Sequence, residues 1–431
     1  MLGGLSLPGI LRAREASGNA KRETSVIFLY LVGGASQLET YDLKPDAPIE
    51  YRSVFKPIAT KVPGMAICEH LPLHAKVADK FALIRSCHHT MNAHNDGGIE
   101  VLTGKTPLRP DPTSTSLSEH PDFGSIVSKM RGLHPEGLPR YVGLPGNLGM
   151  TRPVYLGLQH RAFSAGDPSQ PFYAPPSMRL SVPPQRLDDR KGLLRTFDNA
   201  RNEVDRSGVM EAQDQFRGVA YQILTSTRTA TAFDMKRESD RTRERYGNHL
   251  WGQSCLLARR LAEAGVGAIT IGINVPKNGP EFTNWDDHIM NAMRPGHFGM
   301  YMETRFPYYD QALSALIEDV YDRGLDRDVM IVAMGEFGRT PRLSRNAQGV
   351  GRDHWPDAQS VLISGGGLKM GQIIGATNGK AEFPTQRPCS PKDVLATIYR
   401  HLGIDVKHEF LDHSGRPIAI LNEGTPIEEL G

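Results

Sequence analysis

Continuous apolar runs, rather than alternating ones, mark the strands of this chain. The clearest are Val26-Ile27-Phe28-Leu29-Tyr30-Leu31-Val32, Phe81-Ala82-Leu83-Ile84, Gly267-Ala268-Ile269-Thr270-Ile271, Val329-Met330-Ile331-Val332-Ala333-Met334 and Ser360-Val361-Leu362-Ile363. Runs of this kind suit strands buried on both faces of a parallel sheet. Between them, apolar residues recur at helical spacing. Tyr309–Arg323 places Leu313, Leu316, Ile317 and Val320 on one face, with Gly324 after it. Leu71–Asp79 and His249–Ala264 also read as helices. A last helix opens at Ser390-Pro391-Lys392-Asp393, with serine at the N-cap and proline at the first helical position, and Gly403 closes it. Strands alternating with helices predict an α/β fold, a mostly parallel sheet with helices on both faces.

Residues 105–245 interrupt this rhythm. Proline-rich and charged segments alternate there, and two helices are expected around Leu193–Val204 and Met210–Leu224. The region reads as a large helical insertion or cap over a domain spanning residues 24–431. Residues 1–23 are weakly apolar and then polar, which fits the remnant of an export signal or a disordered terminus.

Composition narrows the partners. With 431 residues, 39% hydrophobic and 23% charged, the chain has the make-up of an ordinary globular protein. A formal net charge of +2 gives no reason to expect nucleic acid or a membrane surface. No apolar run approaches the length of a membrane span. The four cysteines are scattered without metal-type spacing and read as buried or free thiols.

Candidate chemistry gathers after the strands. Val329–Met334 runs into Gly335-Glu336-Phe337-Gly338-Arg339-Thr340-Pro341, and Gly351-Arg352-Asp353-His354-Trp355-Pro356 precedes a second core strand that ends in Gly365-Gly366-Gly367. Ser36, Glu39 and Asp42 follow the first strand; His94, Asn95 and Asp96 open a short helix that stops at Gly104. Asp286, Asp287 and His288 lie in a later loop. Ligands of parallel α/β sheets bind beyond the carboxyl ends of the strands, so these clusters are expected to converge. Mixed imidazole and carboxylate groups suit zinc, manganese or iron, whereas carboxylates alone lean to calcium or magnesium. Arg339 and Arg352 have the geometry to clamp anionic oxygens. His88 and His89 read as a solvated turn, and Trp285 and Trp355 as loop packing. Ser36 lacks the Gly-x-Ser-x-Gly setting of a hydrolase elbow.

The chain resembles a large bacterial family of uncharacterised, often exported proteins classed in the alkaline phosphatase/sulfatase superfamily. The motifs that carry the resemblance are Gly33-Gly34-Ala35-Ser36, Leu102-Thr103-Gly104-Lys105-Thr106-Pro107, Trp285-Asp286-Asp287-His288, the Gly335–Pro341 block, Gly351–Pro356 and Gly415-Arg416-Pro417. The resemblance implies an alkaline-phosphatase/sulfatase-like fold, a twin-arginine export signal and a periplasmic or exported location. By similarity, Asp286 and His288 form one metal-ligand pair, Glu336 is the acid of a second, and His354 is the late histidine. Counting back from Thr103-Gly104 puts His94 at the superfamily's nucleophile position, where it can serve as metal ligand, general acid/base or phosphohistidine-type nucleophile. Other departures are Gly33 in place of a metal-binding aspartate, Gln37 and Glu39 in place of histidine and aspartate, and Phe337 in place of histidine.

The expectation is a metal-dependent hydrolase of sulfate or phosphate esters, acting on an anionic small molecule or glycan with zinc, manganese or calcium. In it Asp286, His288, Glu336, His354 and Glu39 hold metal. His94, Arg339 and Arg352 are catalytic, and Ser36 and Asn95 bind the anion. The competing expectation is a non-catalytic anion- or glycan-binding protein that kept the fold.

Overall fold

The computed structural model describes residues 23–178, 218–275, 284–291 and 294–431. Its centre is an eight-stranded sheet. The strands are β1 (Ser25–Leu31), β2 (Phe81–Cys87), β3 (Tyr141–Leu144), β4 (Phe163–Ser164), β5 (Ala268–Ile273), β6 (Val329–Met334), β7 (Gln359–Gly365) and β8 (Gln372–Ile374). They lie in the order β8-β2-β7-β6-β1-β5-β3-β4. All neighbours pair parallel except β7, which runs antiparallel to both β6 and β2.

Every residue of β1, β5 and β6 is buried, which is why these runs are continuously apolar. Alternate residues of β1 serve opposite faces. Ile27, Leu29 and Leu31 join the core beneath α3 (Leu250–Ala264) and α4 (Phe298–Asp322). Val26, Phe28 and Tyr30 join the core beneath α1 (His94–Thr103), α2 (Phe123–Arg131) and α5 (Pro391–Leu402). The α/β architecture with both faces covered is the one the hydrophobic pattern predicts.

Four expectations change. The region 105–245 is not wholly outside the sheet, because β3 and β4 come from it and extend the sheet edge. β3 is four residues long and bounded by Pro139 and Pro145, so it carries little periodic signal. The helix expected at Tyr309 begins at Phe298 and runs through Pro307. Phe298, Met302 and Phe306 continue its buried face at four-residue spacing, and that burial outweighs the bond lost at proline. Because β7 is antiparallel, Gly365–Gly367 lie by the start of β6, at the opposite end of the sheet from His354; Gly366 N donates to Val329 O at 2.9 Å. His89 is buried rather than solvated, with Nε2 bonded to the Glu336 carbonyl at 2.6 Å.

Of the two helices expected near residue 200, Leu193–Val204 lies outside the described residues, as does most of Met210–Leu224, whose described part, 218–224, is helical. All four cysteines are free and buried. No helix among the described residues is long and apolar enough to cross a membrane.

Buried neutral histidines make the fold acid-sensitive. His249 caps α3, its Nδ1 accepting from Gly252 N at 3.3 Å, and burial pushes its pKa down to about 4. His160 and His89 are likewise pushed down to about 4, first by burial. A depressed folded-state pKa means that the unfolded chain takes up the proton first. The stability tied to these rings is complete above about pH 6.5 and is lost as pH falls through about 4. Urea unfolding across that window is expected to show stability falling with acid. His249→Asn, which keeps a capping acceptor, is expected to flatten the slope by up to roughly 1.4 kcal/mol per pH unit.

Candidate metal centre

The carboxyl ends of β1, β2, β5 and β6 open on one side of the sheet, and four segments meet there. Leaving β1, Gly33 adopts φ +108° and Gly34 φ +80°. A Cβ on Gly33 would lie 2.3 Å from Asp286 N, and one on Gly34 would meet the Phe337 ring at 2.6 Å. Both positions need glycine because the backbone of two other segments lies against them. Gly33 N donates to Glu336 Oε1 at 2.8 Å, and Trp285 N to Val32 O at 2.9 Å. These bonds dock the loop after β6 and the loop bearing Asp286 against the end of β1.

Four side chains converge in the space so formed. His94, Asp286, His288 and His354 each offer a ligand atom, all within 4.8 Å of one another. Asp286 Oδ1 lies 3.4 Å from His94 Nε2, 3.0 Å from His288 Nε2 and 3.4 Å from His354 Nε2. The Nε2 atoms of His288 and His354 are 2.9 Å apart.

Each imidazole is held from behind through Nδ1. The partners are Glu336 Oε1 at 2.7 Å for His94, Asp353 Oδ1 at 2.8 Å for His288 and the Asn92 carbonyl at 2.6 Å for His354. An acceptor behind Nδ1 fixes the ring's tautomer and aims the Nε2 lone pair inward. The Phe337 ring packs beneath His354 and His94, with centroids 4.4 and 5.3 Å away. Arg339, fully buried, donates to Asp286 Oδ1 at 2.6 Å and to the carbonyls of Gly33, Gly34 and Arg352.

The electrostatics follow from this crowding. Burial alone would raise the Asp286 carboxyl, but hydrogen bonds with three imidazoles and the Arg339 charge hold it well below the usual carboxylate range. For His94, burial alone would lower the pKa, and the Asp286 and Glu336 carboxylates raise it to about 9. The pKa of His288 is also raised, burial being outweighed by Asp286 and Asp353. Burial lowers that of His354, and the neighbouring charges on Arg339 and His94 add to the effect.

Several expected site residues stand elsewhere. Glu336 is behind His94, not in the ligand set, and His94 itself is in that set. Glu39 and Arg352 form a fully buried ion pair away from the cluster, with Nε–Oε2 and Nη2–Oε1 both 2.9 Å. The other donors of Arg352 reach the carbonyls of Thr340, Pro341 and Arg52, so it has none to offer an anion. Ser36 Oγ donates to Glu39 Oε2 at 2.5 Å, and Asn95 Nδ2 to Ser116 O at 2.9 Å; neither faces the cluster. Asp287 pairs with buried Arg305. Arg339 is at the site but braces Asp286 rather than presenting an open fork. The residues not assigned from sequence are Asp353, whose signal was its place beside His354, and Asn92, which acts through its carbonyl and left no signal.

Removing one partner of the Glu39–Arg352 pair leaves a buried charge uncompensated. Glu39→Ala is therefore expected to destabilise the metal-free protein by about 3–5 kcal/mol in denaturant unfolding. A metal-ligand role for Glu39 would instead show as weakened metal binding with little change in metal-free stability.

Comparison with curated proteins gives no match. Several solved structures match at low identity. The PsFucS1 sulfatase from Pseudoalteromonas sp. is 11% identical, with 92% of this chain and 70% of that chain covered, at a TM-score of 0.40. The lipoteichoic acid synthase LtaP from Listeria monocytogenes is 11% identical, with 94% and 76% covered, at 0.36. A protein in the alkaline phosphatase superfamily from Vibrio parahaemolyticus is 9% identical, with 90% and 68% covered, at 0.41. The family model described as protein of unknown function (DUF1501) matches residues 23–430, and the chain belongs to that family.

Proposed function

We propose that His94, Asp286, His288 and His354 hold one divalent transition metal, and that the centre serves hydrolysis of sulfate or phosphate esters. The observation that carries this reading is the convergence of three Nε2 atoms and one carboxylate oxygen, each imidazole backed by an acceptor at Nδ1. The spacing fits a cation. A tetrahedron with metal–ligand bonds of about 2.0–2.1 Å has edges of about 3.3 Å; the three separations from Asp286 Oδ1 and the one between His288 and His354 run from 2.9 to 3.4 Å, and all four ligand atoms lie within 4.8 Å of one another. Two imidazole lone pairs facing each other at 2.9 Å repel unless a proton or a cation lies between them. With the three imidazoles neutral, as ligation requires, Asp286, Glu336 and Asp353 against Arg339 leave a net charge of minus two, which a divalent ion neutralises. Three imidazoles favour zinc, manganese or iron over calcium, which takes oxygen ligands.

Such a metal supplies Lewis acidity toward a sulfuryl or phosphoryl oxygen and lowers the pKa of bound water. The chain's own residues do the rest. Arg339 keeps Asp286 ionised and fixed, and Glu336 holds His94 in one orientation. Ser36, bonded to Glu39, is not presented as a nucleophile. The substrate of this reading is an ester-linked anionic small molecule or glycan, and the location periplasmic or exported.

The second reading is an anion- or glycan-binding protein without turnover. It is favoured by the inward bond of Ser36, which leaves no presented hydroxyl nucleophile, and by the apolar Phe337 ring on the floor of the site.

Elemental analysis of the purified protein is expected to find about one zinc, manganese or iron per chain, and Asp286→Asn or His288→Ala to lose most of it. Aryl sulfate or aryl phosphate turnover, abolished by a chelator and restored by metal, is the expected activity. No stoichiometric metal and no uptake of these ions would overturn the metal centre. Metal with glycan binding but no turnover would select the second reading.

A further inference from the structure

We propose that Asp353 is a positioning residue of the metal centre, setting its affinity through His288; the inference rests on the metal reading above. Of the two carboxylates behind the imidazoles, it is the one at the surface, its side chain 54% exposed, whereas that of Glu336 is 2% exposed. An exposed carboxylate is normally mobile, and this one is held at both oxygens, with its backbone anchored as well. Its Oδ1 faces His288 Nδ1 at 2.8 Å, its Oδ2 accepts from Ser344 Oγ at 2.8 Å, and its backbone N donates to Thr340 Oγ1 at 2.9 Å. Thr340 N returns a bond to Asp353 O at 2.8 Å, extending the two-residue ladder of Gly338–Arg339 with His354–Trp355.

The clamp has a purpose only through the ring it faces. A carboxylate behind an imidazole fixes which nitrogen keeps the proton and makes the other a stronger donor to a cation. His288 sits outside every helix and strand among the described residues, whereas α1 positions His94. Asp353 supplies that positioning from across the cleft. The tripeptide Arg352-Asp353-His354 therefore does three separate jobs. Arg352 ties into the interior through Glu39, Asp353 aims His288, and His354 enters the ligand set.

The test is metal titration of apo protein with cobalt(II) and zinc, read by calorimetry and by the cobalt absorption spectrum. Wild type, Asp353→Asn, Asp353→Glu and Ser344→Ala are compared. Asp353→Asn keeps the shape and loses the charge. It is expected to weaken metal binding by about 10–100-fold and to shift the cobalt spectrum, while the unfolding midpoint of the metal-free protein stays unchanged. Asp353→Glu is expected to recover part of the affinity, and Ser344→Ala to show a smaller loss than Asp353→Asn. Wild type that binds metal with Asp353→Asn equally tight would overturn this inference and leave the metal centre standing. Wild type that binds neither ion would overturn both. Loss of metal-free stability in Asp353→Asn, without a change in affinity, would assign Asp353 a structural role and also overturn it.

Discussion

The buried guanidinium of Arg339 is the interaction on which the rest of the centre depends. It has no exposure to solvent, and four of its five guanidinium N–H donors are bonded inside the protein. It links the carbonyls of Gly33 and Gly34 at the end of β1, the Arg352 carbonyl and the Asp286 carboxylate. Four stretches of chain that are remote in sequence are thereby fixed relative to one another. A buried charge of this kind persists only when its donors are bonded, so the loops around it have little freedom to rearrange. Gln37 reinforces the arrangement, its side chain bonding both the N–H and the carbonyl of Arg339 at 2.9 Å.

Around that anchor the site is organised in two shells. The inner shell gathers three imidazoles on a single carboxylate. The outer shell is graded, from the buried Glu336 to the exposed Asp353 to the neutral Asn92 carbonyl. Phe337 lines the floor with an apolar ring, and among the described residues His94, Asp286, His288 and His354 form the one group that could hold a metal ion. The chemistry proposed for it is correspondingly that of a single cation in a partly dry cleft.

The reversed direction of β7 has a functional consequence. In an all-parallel sheet, the residues before a strand begin at the wrong end to meet the site. Because β7 runs antiparallel to β6, the segment that precedes it, with Arg352, Asp353 and His354, arrives at the carboxyl ends of β1 and β6. The glycine triplet after it is carried away to the opposite end. One strand reversal thus decides which of two motifs joins the centre.

The apolar runs by themselves determined the α/β class and the double-sided burial of β1, β5 and β6, because burial on both faces writes directly onto adjacent residues. They also marked Asp286, His288 and His354 as chemistry at strand ends. What tertiary structure alone decided was the role of each polar side chain. Glu39 and Arg352 look like a ligand and a clamp when read locally, yet they face each other across 313 residues and satisfy one another in the interior. Glu336 stands behind a ligand and His94 within the set, a distinction of a few ångströms that residue type cannot encode. Short strands such as β3 and a backbone carbonyl such as that of Asn92 carry no side-chain signal at all. Composition and periodicity report which surfaces are dry, whereas partner choice among buried charges depends on distances that only the folded chain creates.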